Sequence, residues 1–253
     1  MKFALPTIAM SLFMAFYTMV DGLFVSNLIG TNALSAINLS APIISLVTAI
    51  STMLATALVT GITTLMFNWT MLRYVGENGI AAITIIMYVL MFVSSLFSGY
   101  SYGVAPMISY YYGEQNHEKL KKLIRKSLKI IAVISVLFLA ASLIITKPLV
   151  SIFARPDNPV FELAVIGNRI CSIALLFIGF NIFSSGMFTA LNNGIVSAIL
   201  AFSRSFVFMV ICLLALPLFF GVTGIWLATP AAELMAIALA CFMFLKYKNK
   251  YKF

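Results

Sequence analysis

Four ionisable side chains sit where a bilayer would make them costly. Asp21, Arg169, Arg204 and Glu233 each lie within or at the edge of an apolar run. A charge at the centre of a spanning helix costs about 2.5–3.5 kcal/mol on insertion scales, so each is expected to serve a purpose. Asp21 stands out. The run Ala4–Leu28 surrounds it, and Pro6, near the start of that run, removes one backbone hydrogen bond and permits bending. Low dielectric favours the neutral form of a carboxylate, which is the chemistry of a group that takes up and releases protons. The plainer reading is an acid near a helix end, capped by water at the interface. Glu233 follows Thr229-Pro230 inside the last apolar run, with Arg204 or Arg169 as its candidate ion-pair partner. That pair would act as structural glue or in coupling, and Arg204 has the alternative of snorkelling to the interface. Asn68, Asn181 and Ser184-Ser185 are polar enough to line a cavity. They are equally suited to bonding neighbouring helices, at about 0.6 kcal/mol each.

Other chemistry is missing. The sequence has no nucleophile–histidine pair, no phosphate-cradling glycine loop and no metal-ligand spacing, and His117 is its single histidine. Cys171, Cys212 and Cys241 each stand alone in apolar runs and behave as small hydrophobes. No enzyme, cofactor or structural metal is therefore expected. The 14 methionines and 22 phenylalanines suit lipid contact or an adaptable apolar cavity. Transport driven by an ion through a membrane carboxylate fits what remains.

The elements that must hold these residues are helices in a membrane. The chain is 62% hydrophobic and 9% charged, whereas a soluble domain carries roughly 25% charged residues. The fold class is an all-α polytopic membrane bundle. The net charge of +9 does not indicate nucleic acid, because ten of the 16 basic residues fall in Lys119–Lys129 and Lys246–Lys252, at the edges of apolar runs. That placement follows the positive-inside rule; a basic RNA-binding tail is the rival reading of the second cluster. The first run, Phe3–Ile29, is too long for a signal peptide and contains Asp21.

A span needs about 20 apolar residues. Candidates are Ala4–Leu28, Ile80–Tyr112, Ile130–Thr146 with an amphipathic lead-in, Glu162–Leu191, Ile195–Phe219 and Gly224–Leu245. Loops are expected at Gly76–Gly79, Gly113–Lys129, Lys147–Pro159, Asn192–Gly194 and Phe220–Thr223. Between Gly22 and Leu72 there is no charged residue or histidine, and Ala33–Tyr74 is about twice the length of one crossing. Four spans separate the two basic clusters, an even number that puts both on one side. Carried back to Lys2, the same parity asks for two crossings in Ala33–Tyr74. The expected total is about 7–8 helices.

Specific residues carry a family resemblance. Ala4-Leu5-Pro6 with Tyr17–Val25 resembles the first helix of the multidrug and toxic compound extrusion (MATE) family, and Ala33–Ala36 with Pro42-Ile43 the start of its second. Thr63–Tyr74 with Gly76–Ala82 resembles its seventh helix and the loop that follows. Gly103–Tyr110, Tyr112-Gly113 and Gly224–Ala228 with Pro230 and Glu233 extend the match nearly to the C-terminus. The resemblance implies an antiporter of two six-helix lobes that exports amphipathic, often cationic compounds in exchange for protons or sodium. It assigns cation coupling to Asp21 and helix bending to Pro6. The sequence departs from the pattern in having no counterpart of helices three to six. It has no acid near Ala57-Leu58, and Asn181 stands where sodium-coupled members carry an acid. The expected organisation is an N-terminal lobe fragment (1–57), a C-terminal six-helix lobe (58–246) and a basic cytoplasmic tail (247–253). The seam, around Thr52–Thr60, is expected to be one long bent helix or a poorly formed hairpin.

The function expected is multidrug efflux by cation antiport at the plasma membrane. Asn68, Asn181 and Glu233 would contribute to substrate binding. Alternating access uses two lobes, so either two copies pair as a homodimer or the chain does not transport. A non-transporting remnant or interaction subunit is the rival. A lipid-linked sugar flippase, which would want several cations in its cavity, ranks third.

Overall fold

The computed structural model describes residues 58–252. Pro6, Asp21, the 1–57 segment and the 52–57 part of the expected seam lie outside the described residues, so the count of crossings in Ala33–Tyr74 lies outside them too. All regular structure among the described residues is helical. Helix α1 covers 58–74, α2 Glu77–Gly113, α3 His117–Ser151 and α4 Pro159–Cys171. A short 3-10 turn, Ser172–Ala174, joins α4 to α5, Leu175–Ala190. Helix α6, Gly194–Phe202, passes through a π-helical segment, Ser203–Val207, into α7, Phe208–Tyr251.

The turns between helices are set by asparagine and glycine. Gly76, with φ of 86°, ends α1 and donates its N–H to the Leu72 carbonyl at 3.1 Å. The side chains of Asn116, Asn158 and Asn193 accept backbone N–H groups of α3, α4 and α6 at 3.1, 2.9 and 3.3 Å. Each satisfies a donor that the helix itself cannot. Pro159 occupies the start of α4, where a missing N–H costs nothing.

The stretch Gly194–Tyr251 is 58 residues of nearly continuous helix. Drawn straight it would be about 87 Å long, almost three times the hydrocarbon thickness. It reverses at Gly221, whose φ of 56° and ψ of −134° are non-helical. A methyl group on Gly224 would collide with the Leu216 carbonyl and come within 2.8 Å of the Pro217 nitrogen. Those residues would lie about 12 Å apart along a straight helix. The Cys212 and Met235 sulfurs, 3.8 Å apart, pair the two arms further along. The expected turn at Phe220–Thr223 is therefore present, compressed to one non-helical residue, and all five spans expected from Ile80 onward appear.

Some boundaries differ from expectation. The loop placed at Gly113–Lys129 is helical from His117, because its lysines alternate with core residues such as Leu120 and Ile124 at helical spacing. Helix α3 continues through Pro148 to Ser151. One proline near a helix end is tolerated when neighbours reoccupy the freed backbone groups. Residues 247–251 continue α7, with Tyr251 buried.

Two core clusters stack along the bundle. One joins the end of α1 and the start of α2 to α4 and the middle of α7, around Phe67, Ile86, Phe161 and Trp226. The other joins the second half of α2 and the first half of α3 to α5, α6 and the end of α7, around Phe97, Leu120, Phe183 and Phe188. Pro159–Ala190 is the interior helix: 56% of its most apolar stretch is buried, against 17% in α3. Large apolar side chains such as Leu137, Ile144 and Phe219 point outward, as lipid contact requires. A polar cluster stitches α3 to α4: Ser142 and Ser172 hydroxyls lie 2.7 Å apart, and Asn168 Nδ2 donates to Ser142 at 3.2 Å and Thr146 at 3.3 Å.

Gly224→Ala is expected to destabilise the protein by about 1–3 kcal/mol, the cost of overpacking. Gly99→Ala, whose added methyl meets nothing within 4 Å, is expected to hold or slightly raise stability. Thermal melts of the detergent-solubilised variants, followed by tryptophan fluorescence, check the contrast.

Candidate functional site

Helical spacing brings three polar stripes together on one side of the bundle. Helix α2 supplies Ser98, Ser101 and Tyr102, and α5 supplies Asn181, Ser185 and Thr189 at four-residue intervals. The α6–π segment supplies Ala201, Arg204 and Ser205. Between them lies a cavity of about 270 Å³. Gly186 lets α5 approach α2 closely here, since a methyl in its place would force the Ser101 hydroxyl to turn away. The π segment widens the helix at Arg204, a distortion that occurs often at functional sites.

Glu233, on the second arm of α7, closes the back of this site. Its Oε2 accepts from Asn181 Nδ2 at 2.6 Å, and the same nitrogen reaches the Glu233 backbone carbonyl at 3.0 Å. Its Oε1 lies 3.4 Å from Arg204 Nη1. The Glu233 side chain is 9% exposed and that of Arg204 24%. Asn181 Oδ1 is buried without a hydrogen-bond partner. The two ends of the triad differ: the contact to Asn181 is short, whereas that to Arg204 is long and single. A guanidinium offers five donors, so most of Arg204's capacity is not used on Glu233. With six hydroxyls, an amide and an ion pair, the site can hold a small polar group, an ion with its water, or a protonatable cargo. It has room for about nine waters, slightly less than a drug-sized pocket.

The structure places Asn181 against Glu233, and of the two arginines it pairs Arg204 with that carboxylate. Arg169 is exposed in the last turn of α4. Asn68 is half-buried on α1 and does not line this cavity. Ser185 does, whereas Ser184 bonds back to its own helix at Phe180. Ser98, Ser101, Tyr102, Thr189 and Ser205 were not anticipated. Their signal was present as hydroxyls at i, i+3 and i+4 on α2 and as polar side chains at i, i+4 and i+8 on α5.

Comparison with known proteins gives one consistent result. The MatE family model matches residues 62–214. "Multidrug export protein MepA" of Staphylococcus haemolyticus (strain JCSC1435) is 27% identical over 190 residues, covering 75% of this chain and 41% of that protein. A solved structure of a multidrug resistance MATE family transporter of the MOP superfamily, in its outward-facing conformation, superposes with a TM-score of 0.71. The identity is 21%, covering 77% of this chain and 44% of that one. The Vibrio cholerae MATE transporter VcmN in its bent form gives 0.65 at 19% identity, covering 87% and 47%. The chain thus spans less than half the length of these relatives.

Arg204→Met is expected to destabilise the protein by about 3 kcal/mol, the low end for stranding one member of a buried pair, since Asn181 still holds the carboxylate. Arg204→Met with Glu233→Leu is expected to recover most of that loss. Equilibrium unfolding of the single and double variants in mixed micelles measures the coupling.

Proposed function

The chain belongs to the MATE family, and we propose that it exports small amphipathic, often cationic compounds across the plasma membrane in exchange for protons or sodium. The observation that carries this reading is the buried Glu233 held by Asn181 and Arg204, both of which line a polar cavity in a membrane bundle. Ionisable groups buried at such depth mark substrate or ion pathways. Glu233 and Asn181 bind cargo or ion in the cavity. Asp21 is the coupling carboxylate and Pro6 the bending point, roles that rest on the resemblance of the first helix.

Residues 58–246 act as the C-terminal six-helix lobe: α1, α2, α3, α4–α5 and the two arms of the α6–α7 hairpin make six helical passes. Residues 1–57 act as the N-terminal fragment. Alternating access rocks one half of a transporter against another, and two copies of this chain meet that need as a homodimer. Arg204 is the one cationic side chain on the cavity wall among the described residues, which makes a lipid-linked sugar pyrophosphate the poorer cargo.

Proteoliposomes loaded with ethidium and given a proton or a sodium gradient test the proposal. The wild-type chain is expected to move dye only when a gradient is imposed. Glu233→Gln is expected to slow that flux at least tenfold, and Asp21→Asn to remove its dependence on the gradient. Absence of gradient-driven flux in wild type under either ion overturns the reading and favours a non-transporting interaction subunit.

A further inference from the structure

The two basic segments, far apart in sequence, end on one face of the bundle. Tyr112 at the end of α2 packs edge-on against Tyr251 at the end of α7, with ring centroids 5.5 Å apart. Asn193, which caps α6, donates to the Tyr251 hydroxyl at 3.0 Å. Leu120 and Ile124 of α3 share the core cluster that contains Tyr251. Four helix ends thus converge. Tyrosine rings also hold the lysines in place: Lys119 Nζ lies 5.8 Å from the Tyr111 centroid, and Lys250 Nζ lies 5.9 Å from Tyr247 and 5.4 Å from Tyr251. Such contacts stabilise a cation over an aromatic face.

The first turns of α3 are amphipathic. Leu120, Ile124, Ser127 and Ile131 are buried, whereas Lys122, Arg125, Lys126 and Lys129 form an exposed stripe on the other side. Lys246, Lys248, Lys250 and Lys252 are exposed at the end of α7. Against these ten basic residues (six in Lys119–Lys129, four in Lys246–Lys252) the same end holds Glu114 and Glu118, a net excess of eight positive charges. Glu118 is already paired with Lys122 at 2.5 Å. The charge sits where α3 and α7 pass directly into apolar, lipid-facing helix, which is the level of the headgroups.

We propose that this end is a docking face for anionic phospholipid, with headgroup phosphates of the adjoining leaflet bound between the α3 stripe and the end of α7. Attraction of lysines to an anionic leaflet adds residue by residue and decays within a Debye length, about 8 Å at physiological salt. Both segments are close enough to the headgroup level to contribute. The proposal does not depend on what the cavity carries.

The full chain in nanodiscs of mixed phosphatidylcholine and phosphatidylglycerol, released for native mass spectrometry, tests it. Wild type is expected to retain phosphatidylglycerol several-fold above its share of the bilayer. High salt before release should reduce that enrichment. Replacing Lys246, Lys248, Lys250 and Lys252 by glutamine should cut it several-fold, and replacing the same four by arginine should restore it. In a second arm, glycerol phosphate is added to pure phosphatidylcholine discs, and no comparable retention is expected. Retention at the bulk ratio by wild type overturns the proposal, as does equal retention by the folded glutamine variant. Equal binding of free glycerol phosphate overturns the lipid assignment in favour of a soluble anion. If the glutamine variant does not fold, the enrichment in wild type and its salt dependence decide the matter alone.

Discussion

The reversal at Gly221 fixes the register between the two arms of the last hairpin, and much else depends on that register. Because the turn is one non-helical residue, with Gly224 pressed on the Leu216 backbone, the second arm has no slack. It leads Glu233 to Asn181 and Arg204, and further on delivers Tyr251 to Tyr112 and Asn193. A slip of one residue would turn every side chain on that arm by about 100°. The carboxylate would leave its amide, and the tyrosine its socket.

The bundle contains two kinds of buried polar cluster. Between α3 and α4, Ser142, Thr146, Asn168 and Ser172 bond one another across the interface. Such a cluster holds two helices together where the hydrophobic effect cannot, because lipid is as apolar as leucine. Around Glu233 the accounts do not balance in the same way. Asn181 Oδ1 is left without a partner, Arg204 spends one long contact on Glu233, and open volume lies beside them. The first cluster has the character of a joint. The second has the character of a site, since the partly exposed Arg204 guanidinium, with most of its donors unused, borders space that another molecule can fill.

Much of the architecture was legible because a bilayer imposes one-dimensional rules. Apolar length gave the spans from Ile80 onward, and the lysines at 119–129 and 246–252 gave the common side that Tyr112 and Tyr251 now bear out. The pairing of Glu233 was legible as a need, since a carboxylate at that depth requires a partner. Which arginine met it was not, because that depends on the hairpin register. The cavity was largely invisible for a different reason. Serine and threonine on a spanning helix bond their own backbone as readily as a neighbour, as Thr70 and Thr84 do here at 2.7 and 2.8 Å. Only the meeting of α2, α5 and α6 separates Ser98 and Thr189 from such bystanders. Helix starts were misjudged where lysines suggested a loop, because in an amphipathic first turn charge and burial coexist.

The π segment at Ser203–Val207 carries one residue more than an α-helix of the same rise. From there on, position in sequence and position around the axis no longer correspond as they did before it. The helix ahead of it and the arm behind it are out of phase by about 100°. A single helical wheel drawn from Gly194 to Phe219 would therefore assign the wrong face to one half or the other. Counted that way, the surplus residue is an insertion that the fold has absorbed as rotation rather than as a loop. Arg204 lies within that absorbed turn.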